Sequence, residues 1–171
     1  MITALTILSA LLIATYTAAV CIKTGGVPYS ISETFYKIGH KVWFGATMVL
    51  TACLLMPAIL EITPDSYQFT AFLACAGMIM TGIAPNFREG IEKKIHTSGA
   101  VLCLVFSQVW VGLICPWMLL LWIGYLIYTI VMMIKNRTGY FTGTFLGTKP
   151  MFWVEISSLL STYVTVLLTK T

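Results

Sequence analysis

Apolar positions in this chain come in long runs, not in alternation. Six runs, each interrupted by Gly, Pro or charge, cover Met1–Ile22, Lys41–Leu60, Ser66–Ala84, Thr97–Ile114, Pro116–Ile134 and Pro150–Thr169. A helix that crosses the hydrocarbon core needs about 20 mainly apolar residues, so the pattern predicts six spanning helices. In a chain of 171 residues they leave room only for connections. The expected architecture is all-α, a polytopic bundle in one membrane domain over residues 1–171. The first run lacks a basic segment before its apolar stretch, and its 22 residues exceed the roughly 7–15 of a signal-peptide core. It is expected to be a retained helix. Ala10, Ala14 and Ala18 recur every fourth residue along it, the small-residue spacing that lets two helices approach closely.

Composition agrees with a lipid environment. The chain is 58% hydrophobic and 9% charged, where a soluble domain carries about 25% charged residues. Sixteen charged side chains could not cover a water-facing surface. This excludes disorder, a collagen-like chain, a disulfide-stapled secreted domain and a nucleic-acid binder.

Basic residues divide sharply between the two sets of connections. Lys23, Lys37 and Lys41 lie around the first, Arg88, Lys93 and Lys94 around the third, and Lys135, Arg137 and Lys149 around the fifth. The other side has only Lys170. Cytoplasmic loops are enriched in Lys and Arg, so both termini are expected outside the cytoplasm, in a bacterial inner membrane. The net charge of +4 then describes a basic face meeting anionic lipid.

The five cysteines, Cys21, Cys53, Cys75, Cys103 and Cys115, show no C-x-x-C pair and no Cys/His cluster. Zinc-finger and thioredoxin chemistry therefore have no support, and packing is the ordinary role for such residues.

Glu155 is the most informative position, because a carboxylate five residues into a span is costly and marks a functional site by default. Glu155, Ser158, Thr162, Thr165 and Thr169 follow one helix face in steps of three and four, a polar stripe expected to face the bundle interior. Pairing with Lys41 or Lys149 is the plain structural alternative. His40 and His96 fall at the same expected side as Glu155. The three could form a weak metal site, or the two histidines could ligate a haem, although neither has a diagnostic spacing. Thr63-Pro64-Asp65-Ser66 reads as a helix start with Thr63 as N-cap. Glu61 sits at a helix C-terminus, where the dipole disfavours an anion, and is a second ligand or proton candidate. Residues 85–96 carry Phe87, Ile91 and Ile95 four apart and read either as a short amphipathic helix on the inner leaflet or as a solvated connector. The glycine- and hydroxyl-rich loops 24–34 and 138–144 lack both phosphate-binding glycine patterns.

Several words of the chain, Pro28-Tyr29-Ser30-Ile31-Ser32, Pro57-Ala58-Ile59-Leu60-Glu61-Ile62-Thr63-Pro64, Gly82-Ile83-Ala84-Pro85-Asn86-Phe87, His96 and Phe152-Trp153-Val154-Glu155-Ile156, resemble a group of small six-span membrane proteins of bacteria, their phages and mobile elements. The likeness covers nearly the whole chain and implies the six-span fold but no activity. Three functional classes follow from the residues. The first is a bundle that binds membrane lipid, a small apolar ligand, a second copy of the chain or another membrane protein. The second is a small proton-linked transporter or channel using Glu155 or Glu61. The third is a membrane-embedded enzyme with His40, His96 and Glu155 on the cytoplasmic side. No cofactor is specified.

Overall fold

The computed structural model describes residues 2–38, 42–88, 90–136 and 140–169. Within them the chain is helical, with no strand among the described residues. The helices are α1 (Ile2–Lys23), α2 (Thr34–Lys37), α3 (Val42–Glu61), α4 (Gln68–Ile83), α5 (Gly90–Ile114), α6 (Leu121–Lys135), α7 (Phe141–Gly147) and α8 (Pro150–Thr169). Short 3-10 turns at Asp65–Tyr67 and Pro116–Leu120 lead into α4 and α6. Six of these segments are long and apolar enough to cross a membrane. The chain is therefore an all-α integral membrane bundle with six candidate spans, and α2 and α7 lie in the long connections.

The packing order explains the shape. Helix α1 lies on α3, α3 on α4, and α4 most extensively on α5; α8 then touches α5 and α1, closing a ring of five. Helix α6 attaches at the outside, against α8 and the turn before it, and only 6% of its apolar stretch is buried. Its Ile123, Leu126, Ile127 and Ile130 are exposed, as suits a helix turned toward lipid.

Two glycine pairs set the closest approaches. A methyl group on Gly77 would lie 2.4 Å from the Cys103 backbone nitrogen and 2.5 Å from the Gly99 carbonyl oxygen. A methyl on Gly99 would come within 2.7 Å of the Gly77 carbonyl oxygen. Gly45 and Gly82 meet in the same reciprocal way, at 2.6 Å and 2.9 Å from each other's carbonyl oxygens. Bare backbones thus join α4 to α5 and α3 to α4, the close packing that small residues allow in membranes.

Of the alanine stripe of α1 only Ala10 packs against the core of the chain. Ala14 and Ala18 are exposed, and the buried face of α1 is Thr6, Ser9, Ile13, Thr17 and Val20. That face is held by Ser9, whose hydroxyl donates to the Thr51 carbonyl at 2.8 Å and meets the Tyr163 hydroxyl at 2.6 Å, tying α1 to α3 and α8. Ala14→Leu and Ala18→Leu are accordingly expected to leave the thermal midpoint of the detergent-solubilised protein within a degree or two of wild type. A marked fall in differential scanning fluorimetry would show that the alanines are packed.

Two further expectations are corrected. Residues 90–96 do not form a separate helix on the leaflet: they are the first turns of α5, which is one helix of 25 residues. Extending a helix adds one bond per residue fixed, whereas starting a new one is costly. At about 1.5 Å per residue, α5 is roughly 37 Å long and exceeds a hydrocarbon core of about 30 Å. Glu92, Lys93 and Lys94 consequently sit exposed on its projecting end. Gly90 opens it at φ +66, a left-handed conformation that glycine adopts at little cost. Thr63 does not cap α4 either. It is buried, donates to the Ile59 carbonyl at 2.5 Å and accepts the Trp110 indole N–H at 2.8 Å. Pro64 precedes the 3-10 turn instead, where Asp65 accepts from the Gln68 amide at 3.1 Å.

Candidate functional site

The segment between α1 and α2 decides what Glu155 can do. Thr24 and Gly26 cap the end of α1 through their N–H groups, donating to Val20 and Cys21 carbonyls. The chain then turns inward as a strap, with Pro28, Ser30, Ile31 and Thr34 buried. It runs against the first turns of α8. Lys149 Nζ donates to the Val27 carbonyl, Phe152 N–H donates to the Tyr29 carbonyl at 2.9 Å, and Ile31 N–H donates to Glu155 Oε2 at 2.5 Å. The first N–H groups of a helix have no partner within it; here the strap supplies one. The strap is stiffened locally. Glu33 accepts Tyr29 N–H at 2.8 Å, Ser30 Oγ accepts Glu33 N–H at 3.0 Å, and Glu33 pairs with Lys37 at 3.3 Å. Thr34 donates to the Ile31 carbonyl at 2.5 Å, so the Tyr16 hydroxyl, 2.6 Å away, donates to Thr34.

Glu155 is thus held by the strap, not by a cation. The Ser32 hydroxyl lies 3.5 Å from Oε1, and no ion pair to Glu155 exists among the described residues. Lys149 points to Val27 instead, and Lys41 lies outside the described residues. A carboxylate has roughly four acceptor sites, and the donors of the strap occupy only part of them. It faces a cavity with about 100 Å³ open to the centres of water-sized spheres, bounded by α1, α3, α4, α5, α8 and the strap. A single water needs about 10–15 Å³ on that measure, so the space takes several waters or a short hydrocarbon group. Ile13, Met48, Met78, Leu104 and Leu159 make its wall apolar, while Ser32, Thr81 and Ser158 are its hydroxyls. Met151 lines one edge and is itself exposed, so the cavity reaches the perimeter beside the start of α8.

The polar stripe continues from there. Ser158, Thr162 and Thr165 are buried as expected, and Thr169 is exposed. Ser158 Oγ meets Ser107 Oγ at 3.1 Å and accepts from the Gln108 amide at 2.9 Å. Gln108 Oε1 accepts from Ser161 at 3.0 Å and from the Trp122 indole at 2.8 Å. A second, smaller cavity of about 30 Å³ shares Met78, Cys103, Ser158 and Leu159 with the first and extends to Thr162. Sequence reading does not single out Gln108, Ser107 or Ser161, and it marks residues 24–34 as a glycine- and hydroxyl-rich loop without placing that loop against Glu155. A glutamine inside an apolar run is a legible signal, since amides hydrogen-bond across membrane helices.

His96 belongs to a different place. It is buried, and its Nδ1 is 3.0 Å from the Ala84 carbonyl oxygen. A carbonyl only accepts, so Nδ1 carries the proton. The ring lies against Phe87 at 4.9 Å and Phe44 at 6.2 Å. Tyr36 packs on Phe87 at 5.0 Å, donates to Asn86 at 2.8 Å and carries the Arg88 guanidinium 4.0 Å above its ring. His96 therefore anchors the α4–α5 connection and does not line the Glu155 cavity. His40 lies outside the described residues. Among the described residues no three His, Cys, Asp or Glu side chains come close enough to hold a metal ion. Glu61 is exposed at the end of α3, away from the cavity lining. The cysteines are unpaired among the described residues, with Cys75 and Cys103 packed around the cavities.

No family model matches the chain, and no curated protein or solved structure is similar to it.

Proposed function

We propose that this protein is an intramembrane binding bundle whose central cavity takes a small apolar or lipid-like molecule bearing a hydroxyl or ammonium group against Glu155. The observation that carries this reading is a carboxylate that meets no cation among the described residues, fixed by a backbone N–H at the polar end of a mainly apolar cavity. Such a site rewards a ligand with one donor and a hydrocarbon body: the walls accept the apolar part, and Glu155 and Ser32 orient the polar end. The opening beside Met151 favours entry from the lipid phase. In this reading the basic connections face the cytoplasm of a bacterial cell, both termini lie outside it, and the ligand comes from the inner leaflet.

The test is native mass spectrometry of protein released from mild detergent. Wild type is expected to retain an adduct of lipid or small-molecule mass. Glu155→Gln keeps the size but removes the charge, and is expected to lower occupancy about ten-fold or more. Ala100→Phe, which fills the cavity, should abolish the adduct while Glu155 stays in place. An adduct unchanged in both variants would sink the proposal.

A second reading rests on the chain of Ser158, Ser107, Gln108, Ser161 and Thr162 beyond Glu155. Those groups could pass protons toward the opposite face, making the bundle a proton-linked transporter. Proteoliposomes under an imposed pH gradient decide: flux lost in Glu155→Gln supports it, and no flux in wild type removes it.

A further inference from the structure

A separate groove runs along the outside of the bundle between α1 and the start of α3. Leu12 and Ala19 form one wall, Val20 and Thr47 line the base, and Lys23 and Trp43 stand at one end. Val20 and Thr47 are buried, so the groove has a closed base, while Trp43 is exposed. It holds about 370 Å³, against about 100 Å³ for the central cavity. From Leu12 to Lys23 it extends about 16 Å along the helix axis. An acyl chain in a bilayer runs in that direction.

Its two ends differ in chemistry. Toward Leu12 the lining is Leu12, Thr15, Tyr16 and Ala19, and the Tyr16 hydroxyl is taken up by Thr34, which leaves mainly apolar surface facing the groove. At the shallow end, Lys23 closes α1 and makes no hydrogen bond or ion pair among the described residues, whereas Lys37 is already paired with Glu33. Trp43, on the second residue of α3, stands where indole rings sit at the headgroup level. A lysine at a helix C-terminus is ordinarily explained by the helix dipole; the dipole does not account for a hydrocarbon-sized groove ending at the ammonium.

We propose that the α1–α3 groove binds an anionic glycerophospholipid, with one acyl chain along Val20 and Thr47 and the phosphate against Lys23. Charge complementarity selects this occupant. The groove ends at an ammonium that pairs with nothing among the described residues, at the end of the bundle whose connections carry most of the basic residues of the sequence. A zwitterionic lipid would bring its own cation to that place. The site is independent of Glu155 and needs no ligand in the central cavity.

Lipid exchange on the full-length protein tests it. Dioleoyl phosphatidylglycerol and dioleoyl phosphatidylcholine are offered in equal amounts, and bound lipid is read by native mass spectrometry. Wild type is expected to retain the phosphatidylglycerol about five-fold over the phosphatidylcholine, the ratio one lysine confers near an anionic surface. Lys23→Gln should erase the preference and Lys23→Arg should keep it. Ala19→Phe, which obstructs the groove, should reduce both lipids together. A dibrominated phosphatidylglycerol should quench wild-type fluorescence more than that of Trp43→Phe. Equal retention of the two lipids by wild type would overturn the proposal, and so would a preference that survives Lys23→Gln. Thermal midpoints near wild type in Lys23→Arg and Ala19→Phe separate lost binding from lost fold.

Discussion

Replacing Gly77 or Gly99 with alanine is expected to be among the most damaging single-methyl changes in this protein. The added carbon at residue 77 would stand 2.4 Å from a backbone nitrogen and 2.5 Å from a carbonyl oxygen. Neither is a side chain that can rotate away, so α4 and α5 must separate. These two helices share the most extensive contact in the bundle, and their separation would loosen the wall formed by Met78, Thr81 and Cys103 around the Glu155 cavity. Overpacking a well-packed interface costs about 1–3 kcal/mol and sometimes more. For a chain of this size each kcal/mol moves a thermal midpoint by roughly 2–4 °C, so Gly77→Ala and Gly99→Ala should each fall by several degrees and lower the yield of monodisperse protein. Gly124→Ala on α6 is the control, because nothing lies within 4 Å of the added carbon. Scanning fluorimetry of the three variants checks this; equal midpoints for Gly77→Ala and Gly124→Ala would mean the α4–α5 contact is looser than described.

The same contact shows what a single sequence can and cannot reveal. The spans are legible because each is a local run of apolar residues, and the face of α8 is legible because Glu155, Ser158, Thr162 and Thr165 repeat at helical steps. Close approach is not local. The alanines of α1 have the right spacing, yet the hydroxyl face through Ser9 and Thr17 has a comparable one, and only the partner helix selects between them. Gly77 meets Gly99 across a connection, at a register that no spacing within either helix specifies. The strap is further from view. Its Gly25, Gly26 and Pro28 announce a turn, but its path under α8 depends on three bonds to Val27, Tyr29 and Ile31 from residues more than a hundred positions away. His96 shows the converse. Its position at the expected membrane edge suggested a site shared with Glu155, while the carbonyl of Ala84, twelve residues earlier, is what it binds.

The second large effect is expected at Gln108, where one side chain serves four partners on three helices, α5, α6 and α8. Its amide N–H groups reach the Ser158 hydroxyl at 2.9 Å and the Ser107 hydroxyl at 3.2 Å, and its oxygen receives Trp122 and Ser161. Ser161 has a second acceptor in the Ser158 carbonyl at 2.9 Å, and Ser158 keeps Ser107. Trp122 has no such reserve among the hydrogen bonds described, so Gln108→Leu leaves its indole N–H without a partner. Trp122 is half-buried, so its orphaned donor costs at most the roughly 1–3 kcal/mol of a fully buried one, and α6, which touches the ring of five helices mainly through α8 and the turn at Pro116–Leu120, has little else to hold it. Gln108→Leu should therefore lower the midpoint and speed amide exchange in Leu121–Lys135 more than in α4 or α5. Trp122→Phe removes the donor itself and should cost less than Gln108→Leu. In the double variant the two losses should fall short of additivity by about 1 kcal/mol, near the upper range for interhelical bonds in membranes. Strict additivity would show that the indole does not depend on Gln108, and α6 would then be held by packing alone.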